Sequence, residues 1–493
     1  MKKEKLEFYG GPYAALIPIL FYVFLSFIFV LVLHVSGMEA MEIAIFIGVL
    51  LGFLLSKNRA MYWDTLVDGL GNPKNARLVF VFLMIGVFSK LLVAGKVGQG
   101  LVWLAMICHI HGAAFTVFSF VGTALLALGS GMPFGALFSA IACFFIPGIL
   151  LGCNPLVLIG SIIGGVYCGD SFAPSSQVTA VALSVSTNSK TGETADLNKM
   201  LKERSPWMIL ATIITIILLF IFGGNGVQKN NLQALRHFAD PRGLIMLLAI
   251  ALVVFLCLKT KDILFSLTWS TLFGTVIGLL FKVFPFQAVI SFHPKAQLPV
   301  NGFLAQGIQT MTPLIINCIF VFGMIATLQR SGCFKQICTS LTKHKFIQSP
   351  IGAETATAVG MGIVNTLMAG GDVPAILLFG NIADDLGHVA KIEPERRAYF
   401  LIGVATSIFG IIPLNSSYIM SSLTLLRQMK LTFPMIPNLA PVPIFFATFF
   451  CWALTAIWLC WIIFGLGRKF EGNAEVNTQT KKRRFKPTKG CGF

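Results

Sequence analysis

The sequence predicts an all-α, polytopic membrane protein of about 12 transmembrane helices, arranged as two inverted repeats with broken helices. Three observations carry that prediction. Of 493 residues, 56% are hydrophobic and only 12% are charged, whereas a soluble domain carries about 25% charged residues because its surface must hold water. The apolar residues fall in runs of the length that crosses a bilayer. Those runs are broken at corresponding places in the two halves by Gly, Pro and polar residues.

A helix needs about 20 mostly apolar residues to cross the hydrocarbon core. Tyr13 to Ser36, Met38 to Leu55, Leu78 to Val93, Trp207 to Phe222, Leu244 to Leu258, Ile263 to Phe281, Met311 to Leu328 and Val442 to Leu466 meet or approach that length. Further apolar runs lie around 113–128, 136–166, 351–369 and 398–412. The alternating strands of an outer-membrane barrel are absent. The N-terminal MKKEK precedes an apolar run longer than the roughly 7–15 residues of a secretory signal, so that run is read as the first span. Between Lys57 and Arg77, the spacing of Tyr62, Trp63, Leu66, Val67 and Leu70 fits a short interfacial helix. Polar loops are expected at Thr187 to Ser205 and at Gly223 to Arg242. The resulting organisation is an N-terminus over 1–12, a first repeat over 13–222, a connecting loop over 223–242, a second repeat over 243–466 and a basic tail over 467–493.

A formal charge of +17 suggests nucleic acid in a soluble protein, but in a membrane protein it is the positive-inside bias. Lys2, Lys3 and Lys5 precede the first span, the turn from His34 to Met41 holds no Lys or Arg, and the next loop carries Lys57, Arg59, Lys74 and Arg77. This asymmetry places both termini in the cytoplasm of a multi-pass protein of the cell inner membrane. The tail's Lys481-Lys482-Arg483-Arg484 run reads as disordered and matched to anionic lipid, with no nucleic-acid partner; a homodimer is compatible with the class. The 11 cysteines lie mostly in apolar runs (Cys108, Cys143, Cys257, Cys318, Cys451, Cys460), where a free thiol packs as a small apolar residue. Cys333 and Cys338 have no neighbouring ligands for a metal site. His109 and His111 mark a span end, and Phe445, Phe446, Phe449 and Phe450 read as packing or lipid-facing. No cofactor is implied.

The breaks are Gly129-Ser130-Gly131-Met132-Pro133-Phe134-Gly135, Gly169-Asp170-Ser171-Phe172-Ala173-Pro174-Ser175-Ser176, Gly370-Gly371-Asp372-Val373-Pro374 and Pro413-Leu414-Asn415-Ser416-Ser417. Within each half the two are about 40 residues apart, and the halves are offset by about 240. Unpaired backbone groups in hydrocarbon cost several kcal/mol each, so such breaks survive only where protein or water shields them. They offer carbonyls and half-helix ends for ions, and paired interrupted segments point to a transporter binding site. The alternative for any single break is a packing kink.

Four acids sit in or beside apolar spans: Glu42, Asp170, Glu354 and Asp372. An Asp at mid-membrane costs about 2.5–3.5 kcal/mol to insert, which asks for a reason. Asp170 and Asp372 each follow a Gly at a break, one per half. A carboxylate there can hold a proton or a metal cation, the minimum chemistry of an exchanger; the competing reading is a helix cap. Glu42 lies near a span end. Glu354 starts a span among small residues and is a candidate proton carrier. Two membrane aspartates also raise an intramembrane aspartyl protease, whose Gly-x-Gly-Asp motif is not matched by Tyr167-Cys168-Gly169-Asp170 or Ala369-Gly370-Gly371-Asp372.

The stretch from Ala127 to Thr179 resembles the signature half of NhaC-type Na⁺/H⁺ antiporters within the ion transporter superfamily, with Gly165, Gly169, Asp170, Pro174, Ser176 and Thr179 in register. Asn365, Gly371-Asp372 and Pro413-Leu414-Asn415 are similar to that family's second-half elements. Two departures stand out. Gln177 occupies a position where the family has an Asp, and the run Ile402-Gly403-Val404-Ala405-Thr406-Ser407 lacks the acids found there in relatives. The resemblance implies a cation/proton antiporter working by alternating access. Asp170 and Asp372 would carry Na⁺ or H⁺, helped by Ser175, Ser176, Gln177, Thr179, Asn365, Asn415 and Ser416. The missing acids raise a rival within transport, a Na⁺- or H⁺-coupled carrier of organic acids or amino acids.

Overall fold

The computed structural model describes residues 5–71, 73–189, 191–224, 238–292, 300–333, 336 and 345–471. Lys2, Lys3, Cys338, most of the expected 223–242 loop and the tail from 472 onward lie outside the described residues.

The described chain is helical apart from a two-stranded antiparallel ribbon, β1 (Ser291–Phe292) with β2 (Val300–Asn301), in the register Ser291↔Asn301. The helices are α1 (Ile17–Phe27), α2 (Met38–Leu55), α3 (Arg59–Leu70), α4 (Pro73–Ala94), α5 (Val97–Ile107), α6 (Ala113–Ser130), α7 (Pro133–Ala140), α8 (Ile146–Leu150), α9 (Pro155–Phe172), α10 (Gln177–Val185) and α11 (Leu197–Phe222). They continue as α12 (Leu247–Thr260), α13 (Ile263–Leu280), α14 (Phe303–Ser331), α15 (Pro350–Leu367), α16 (Asp372–Val389), α17 (Pro394–Ala405), α18 (Ser417–Thr432), α19 (Pro441–Ala447) and α20 (Phe449–Phe464). Among the described residues, 10 helices are long and apolar enough to cross a membrane, or 11 with α19–α20 counted as one span bent by 59°.

The short helix expected after Lys57 is α3, started by Asn58, whose side chain accepts the Met61 N–H at 3.0 Å. Two boundaries differ from expectation. The apolar run 136–166 is not one element: α7, a π-turn at Ile141–Phe145 and α8 form one leg, and the chain turns before Asn154 starts α9. Polar residues from 197 to 205 are not loop either. Asp196 accepts the Lys199 N–H at 2.7 Å and starts α11 at Leu197, ten residues before Trp207.

α11 defines the two ends of the bundle. Near its start, Lys199 pairs with Glu393 and Glu395; just past its finish, the Gly223 carbonyl accepts the Asn154 N–H at 2.9 Å. The leg pair α6 and α7–α8 has both feet at the second end, where Gly112 N–H donates to Leu151 O at 2.9 Å and Thr116 Oγ1 to Gly223 O at 2.9 Å. α15 and α16 have both feet at the first end, where Glu354 binds Arg468 and Ile392 bridges to Phe470. The two helical hairpins therefore enter from opposite ends. Each is followed by a broken helix, α9–α10 or α17–α18, so the four-part unit occurs twice in inverted orientation.

Small residues bring these parts together. A Cβ on Gly165 would sit 2.6 Å from Phe120 O, and one on Gly169 would collide with Ala124 O, so α9 approaches α6 backbone to backbone. The second turn is tighter: Ala369 and Gly370 both have positive φ, 57° and 72°. An Ala in that region stores strain that the surrounding contacts must hold.

Candidate ion and substrate site

The broken backbone is satisfied by the residues the sequence singled out. Asn365 on α15 donates from Nδ2 to Ala405 O, the last carbonyl of α17, at 2.7 Å. Asn415, in the break after α17, donates from Nδ2 to Thr366 O near the end of α15 at 2.6 Å. The two amides thus cap each other's helices. Ser417 N–H donates to Ala369 O at 2.7 Å, and Ser416 Oγ to Gly410 O at 2.8 Å. In the first half Ser176 caps α10, its Oγ accepting the Thr179 N–H at 3.2 Å.

Because both amide nitrogens bind carbonyls, both amide oxygens are left as acceptors. Asn365 Oδ1, Asn415 Oδ1, Thr179 Oγ1, Ser175 Oγ and Asp170 Oδ1 are buried and have no hydrogen-bond partner among the described residues. Asp170, in the last turn of α9, is 1% exposed; Asp372, the first residue of α16, is 4% exposed. Asp372 Oδ1 accepts from Asn365 Nδ2 at 3.2 Å, and Oδ2 lies 3.4 Å from the Tyr418 hydroxyl that donates to it. Tyr418 also stacks on Phe134 of α7 (centroids 4.5 Å, 11°) and leans on Tyr167 of α9 at 4.7 Å. One side chain of the second half is thereby seated between two rings of the first, each contact contributing about 0.5–1.5 kcal/mol beyond burial.

A chamber of about 80 Å³ lies against Asp372. Its wall is mainly apolar, with Gln177, Asn317, Ser417 and Tyr418 as the polar additions and no Lys or Arg among the described residues. Four half-helices begin on it: α7 at Pro133, α10 at Gln177, α16 at Asp372 and α18 at Ser417. Each carries about half a positive charge at its N-terminus, so the chamber is a convergence of four positive dipole ends with one carboxylate. Asn317 Nδ2 is buried there with no partner among the described residues. Leu78, Phe322, Val373 and Pro374 separate the chamber from a much larger cavity of about 1040 Å³ at the end of the bundle that holds Lys5, Asp68 and Arg330.

Glu354 stands apart from these groups. It pairs with Arg396 Nε at 2.9 Å and Arg468 Nη2 at 2.6 Å. Arg397 pairs beside it with Asp384 and with Glu471, the latter at 2.6 Å. Residues 467–471, expected to open a free tail, form a strap docked on that network.

Sequence reading missed Tyr418, Asn317 and Arg204. Arg204 had a legible signal. Leu197, Met200, Leu201 and Met208 mark one helical face by their 3–4 spacing, and Arg204 falls on it.

The matching family model is the Na⁺/H⁺ antiporter family, over residues 165–452, more than half of the chain and inclusive of three of the four breaks. The chain belongs to the Na⁺/H⁺ antiporter family. Among curated proteins this family member is 24% identical over 315 residues to the malate-2H⁺/Na⁺-lactate antiporter of Bacillus subtilis (strain 168), a match covering 62% of this chain and 66% of that one, just under two thirds of the relative's length. Among solved structures, the Alcanivorax borkumensis YdaH transporter is similar at 13% identity and a TM-score of 0.39, over 84% of this chain and 91% of that one. MtrF of Neisseria gonorrhoeae is similar at 12% identity and a TM-score of 0.39, over 77% and 80%. Neither site nor cargo follows from likeness at that level.

Proposed function

We propose that this family member is a secondary active antiporter that exchanges Na⁺ for H⁺ by alternating access, with Asp170 and Asp372 as the carboxylates of the ion site. The observation that carries this reading is the set of buried, unpartnered oxygens on the breaks, from Asp170, Ser175, Thr179, Asn365 and Asn415. Buried polar atoms are nearly always paired, and five acceptors without donors are what a visiting cation or proton completes. Glu354, held by two arginines, has no such vacancy and serves the strap. Lys5, Lys57, Arg59 and Arg330 gather at the end of the bundle that holds the large cavity, which supports a cytoplasmic assignment of that end by the positive-inside rule. The large cavity opens there, so this conformation is the cytoplasm-facing one, and Leu78, Phe322, Val373 and Pro374 are the gate toward the chamber. In vesicles reconstituted with the protein under an imposed pH gradient, Na⁺ or Li⁺ collapses the gradient, and Asp372→Asn abolishes the effect. A gradient indifferent to Na⁺, Li⁺ and K⁺ overturns cation exchange.

A second reading is favoured by the four N-termini on one mainly apolar chamber with amides at Gln177 and Asn317. Helix N-termini attract carboxylates, and neutralising Asp372 with Na⁺ or H⁺ leaves the chamber net positive. A small carboxylate would then travel with the coupling cation, in keeping with the name of the Bacillus relative. Stabilisation of the purified protein against heat by short-chain carboxylates only when Na⁺ is present supports this; no shift across such a panel removes it.

A further inference from the structure

Among the described residues, three arginines are buried. Arg396 lies against Glu354, and Arg397 against Asp384 and Glu471. Arg204 is 1% exposed and lies in the membrane-crossing helix α11, yet no carboxylate touches it among the described residues. Nη2 donates to Ser171 Oγ at 2.9 Å, while Nε and Nη1 have no hydrogen-bond partner there. Ser171 is the neighbour of Asp170, whose Oδ1 is likewise unpartnered. Ser171 thus joins Arg204 to the helix end that carries Asp170, with no direct ion pair between the two among the described residues. The other elements packed on α11 do not compensate Arg204: Glu395 of α17 is taken by Lys199, and neighbouring Glu203 by Lys469.

A guanidinium stays charged under all physiological conditions, and a lone charge taken out of water is strongly unfavourable. Arg204 is tolerated in its place because Asp170 offsets it. Asp372 has no comparable neighbour. Its hydrogen-bond partners, Asn365 and Tyr418, are neutral, and among the described residues no Lys or Arg lines its chamber. The inverted repeat therefore carries one carboxylate in each half, at non-equivalent places (Asp170 at the end of α9, Asp372 at the start of α16) and with unlike company.

We infer that Arg204 is the resident counter-charge of Asp170, so that Asp372 alone trades its proton for Na⁺, one positive charge for one in each cycle. Asp170 then positions and balances Arg204 and lends an oxygen to the site, without carrying a second ion. This rests on the exchange reading above and sets its stoichiometry, which that reading leaves open.

The test is Na⁺/H⁺ exchange in proteoliposomes with the membrane potential set by K⁺ and valinomycin. Wild type and Arg204→Lys are expected to exchange at rates indifferent to the imposed potential, with a Hill coefficient for Na⁺ of about one. Arg204→Gln frees Asp170 to trade a second proton for a second Na⁺, two charges for two, so the coefficient rises toward about two while exchange stays indifferent to potential. The double variant Arg204→Gln/Asp170→Asn, slower than wild type, returns to one-for-one exchange. A potential-driven wild type, or a folded Arg204→Gln with an unchanged coefficient, overturns the inference. Should Arg204→Gln fail to fold, the double variant decides: potential-insensitive exchange supports the inference and its complete loss overturns it. If wild type exchanges no cation at all, the exchange reading has failed. The charge pairing is still read from thermal unfolding of the two single variants and the double: a double variant more stable than either single supports it, and additive losses overturn it.

Discussion

The two halves of this antiporter-family member build the same backbone device and equip it differently. In the first half, Asp170 ends α9 beside Ser171 and the buried Arg204, and the α9–α10 break is closed by a serine cap. In the second, Asp372 begins α16 beside Asn365 and Tyr418, and the turns are closed by two asparagines that cap each other's helices. The first carboxylate adjoins the serine that binds a buried arginine, and the second has only neutral hydrogen-bond partners. On the proposed exchange, inversion supplies an alternating path and the difference in company decides which carboxylate is free to exchange its ion.

The largest expected effect is on the unbalanced side. Asp372→Asn keeps the shape and removes the only charge on the chamber among the described residues, so exchange falls by at least about 100-fold, the scale on which loss of one preorganised polar group acts in a buried site. Retained exchange in proteoliposomes would mean that Asp170 is the carrier and would reverse the comparison.

Asp170→Asn acts first on stability. It strands Arg204, and breaking a buried charge pair by removing one partner costs about 3–5 kcal/mol. Because these two charges are not in direct contact, the lower end is expected. Thermal unfolding in detergent should show Asp170→Asn as the less stable of the two aspartate variants. Equal midpoints for Asp170→Asn and Asp372→Asn would remove the distinction between the halves.

This contrast shows what was legible in the sequence. Gly, Pro and Asp inside apolar runs stand out against hydrocarbon, so the breaks, the two aspartates and Asn365, Asn415 and Thr179 were visible without coordinates. Arg204 is hidden because the long apolar stretch begins only at Trp207, while the helix starts at Leu197 and carries its polar first turns into the bundle. Tyr418 and Asn317 look like ordinary helix residues; only tertiary packing puts one between two rings of the other half and the other on the chamber. The convergence of four helix starts is likewise a property of the inverted arrangement, not of any local pattern. Glu354 was conspicuous as an acid in a span, and its two arginine partners lie 42 and 114 positions away in sequence.

Tyr418→Phe sharpens the comparison at the point where the halves meet. It preserves stacking on Phe134 and deletes the hydroxyl that donates to Asp372 at 3.4 Å. A hydrogen bond of this kind contributes about 0.5–1.5 kcal/mol, so the Na⁺ concentration for half-maximal exchange should rise by about tenfold or less with turnover little changed. An unchanged half-saturation would confine Tyr418 to packing.

The smallest effect belongs to an ion pair outside the bilayer, which gauges how much burial matters to the Asp170–Arg204 couple. Arg77 Nη2 lies 2.7 Å from Asp262, with both side chains well exposed, and the hydrogen bond from Arg77 holds the Asp262 carboxyl below the usual aspartate range. A carboxyl lowered in the folded state contributes stability above its unfolded value, about 3.9, and loses that contribution as pH falls through the folded value. Water and salt screen such a pair to about 1 kcal/mol or less. Arg77→Gln should therefore lower the unfolding midpoint slightly at neutral pH, and the gap should close in acid below the ordinary aspartate range. A loss as large as that from Asp170→Asn would show that burial gives the Arg204 couple no special weight.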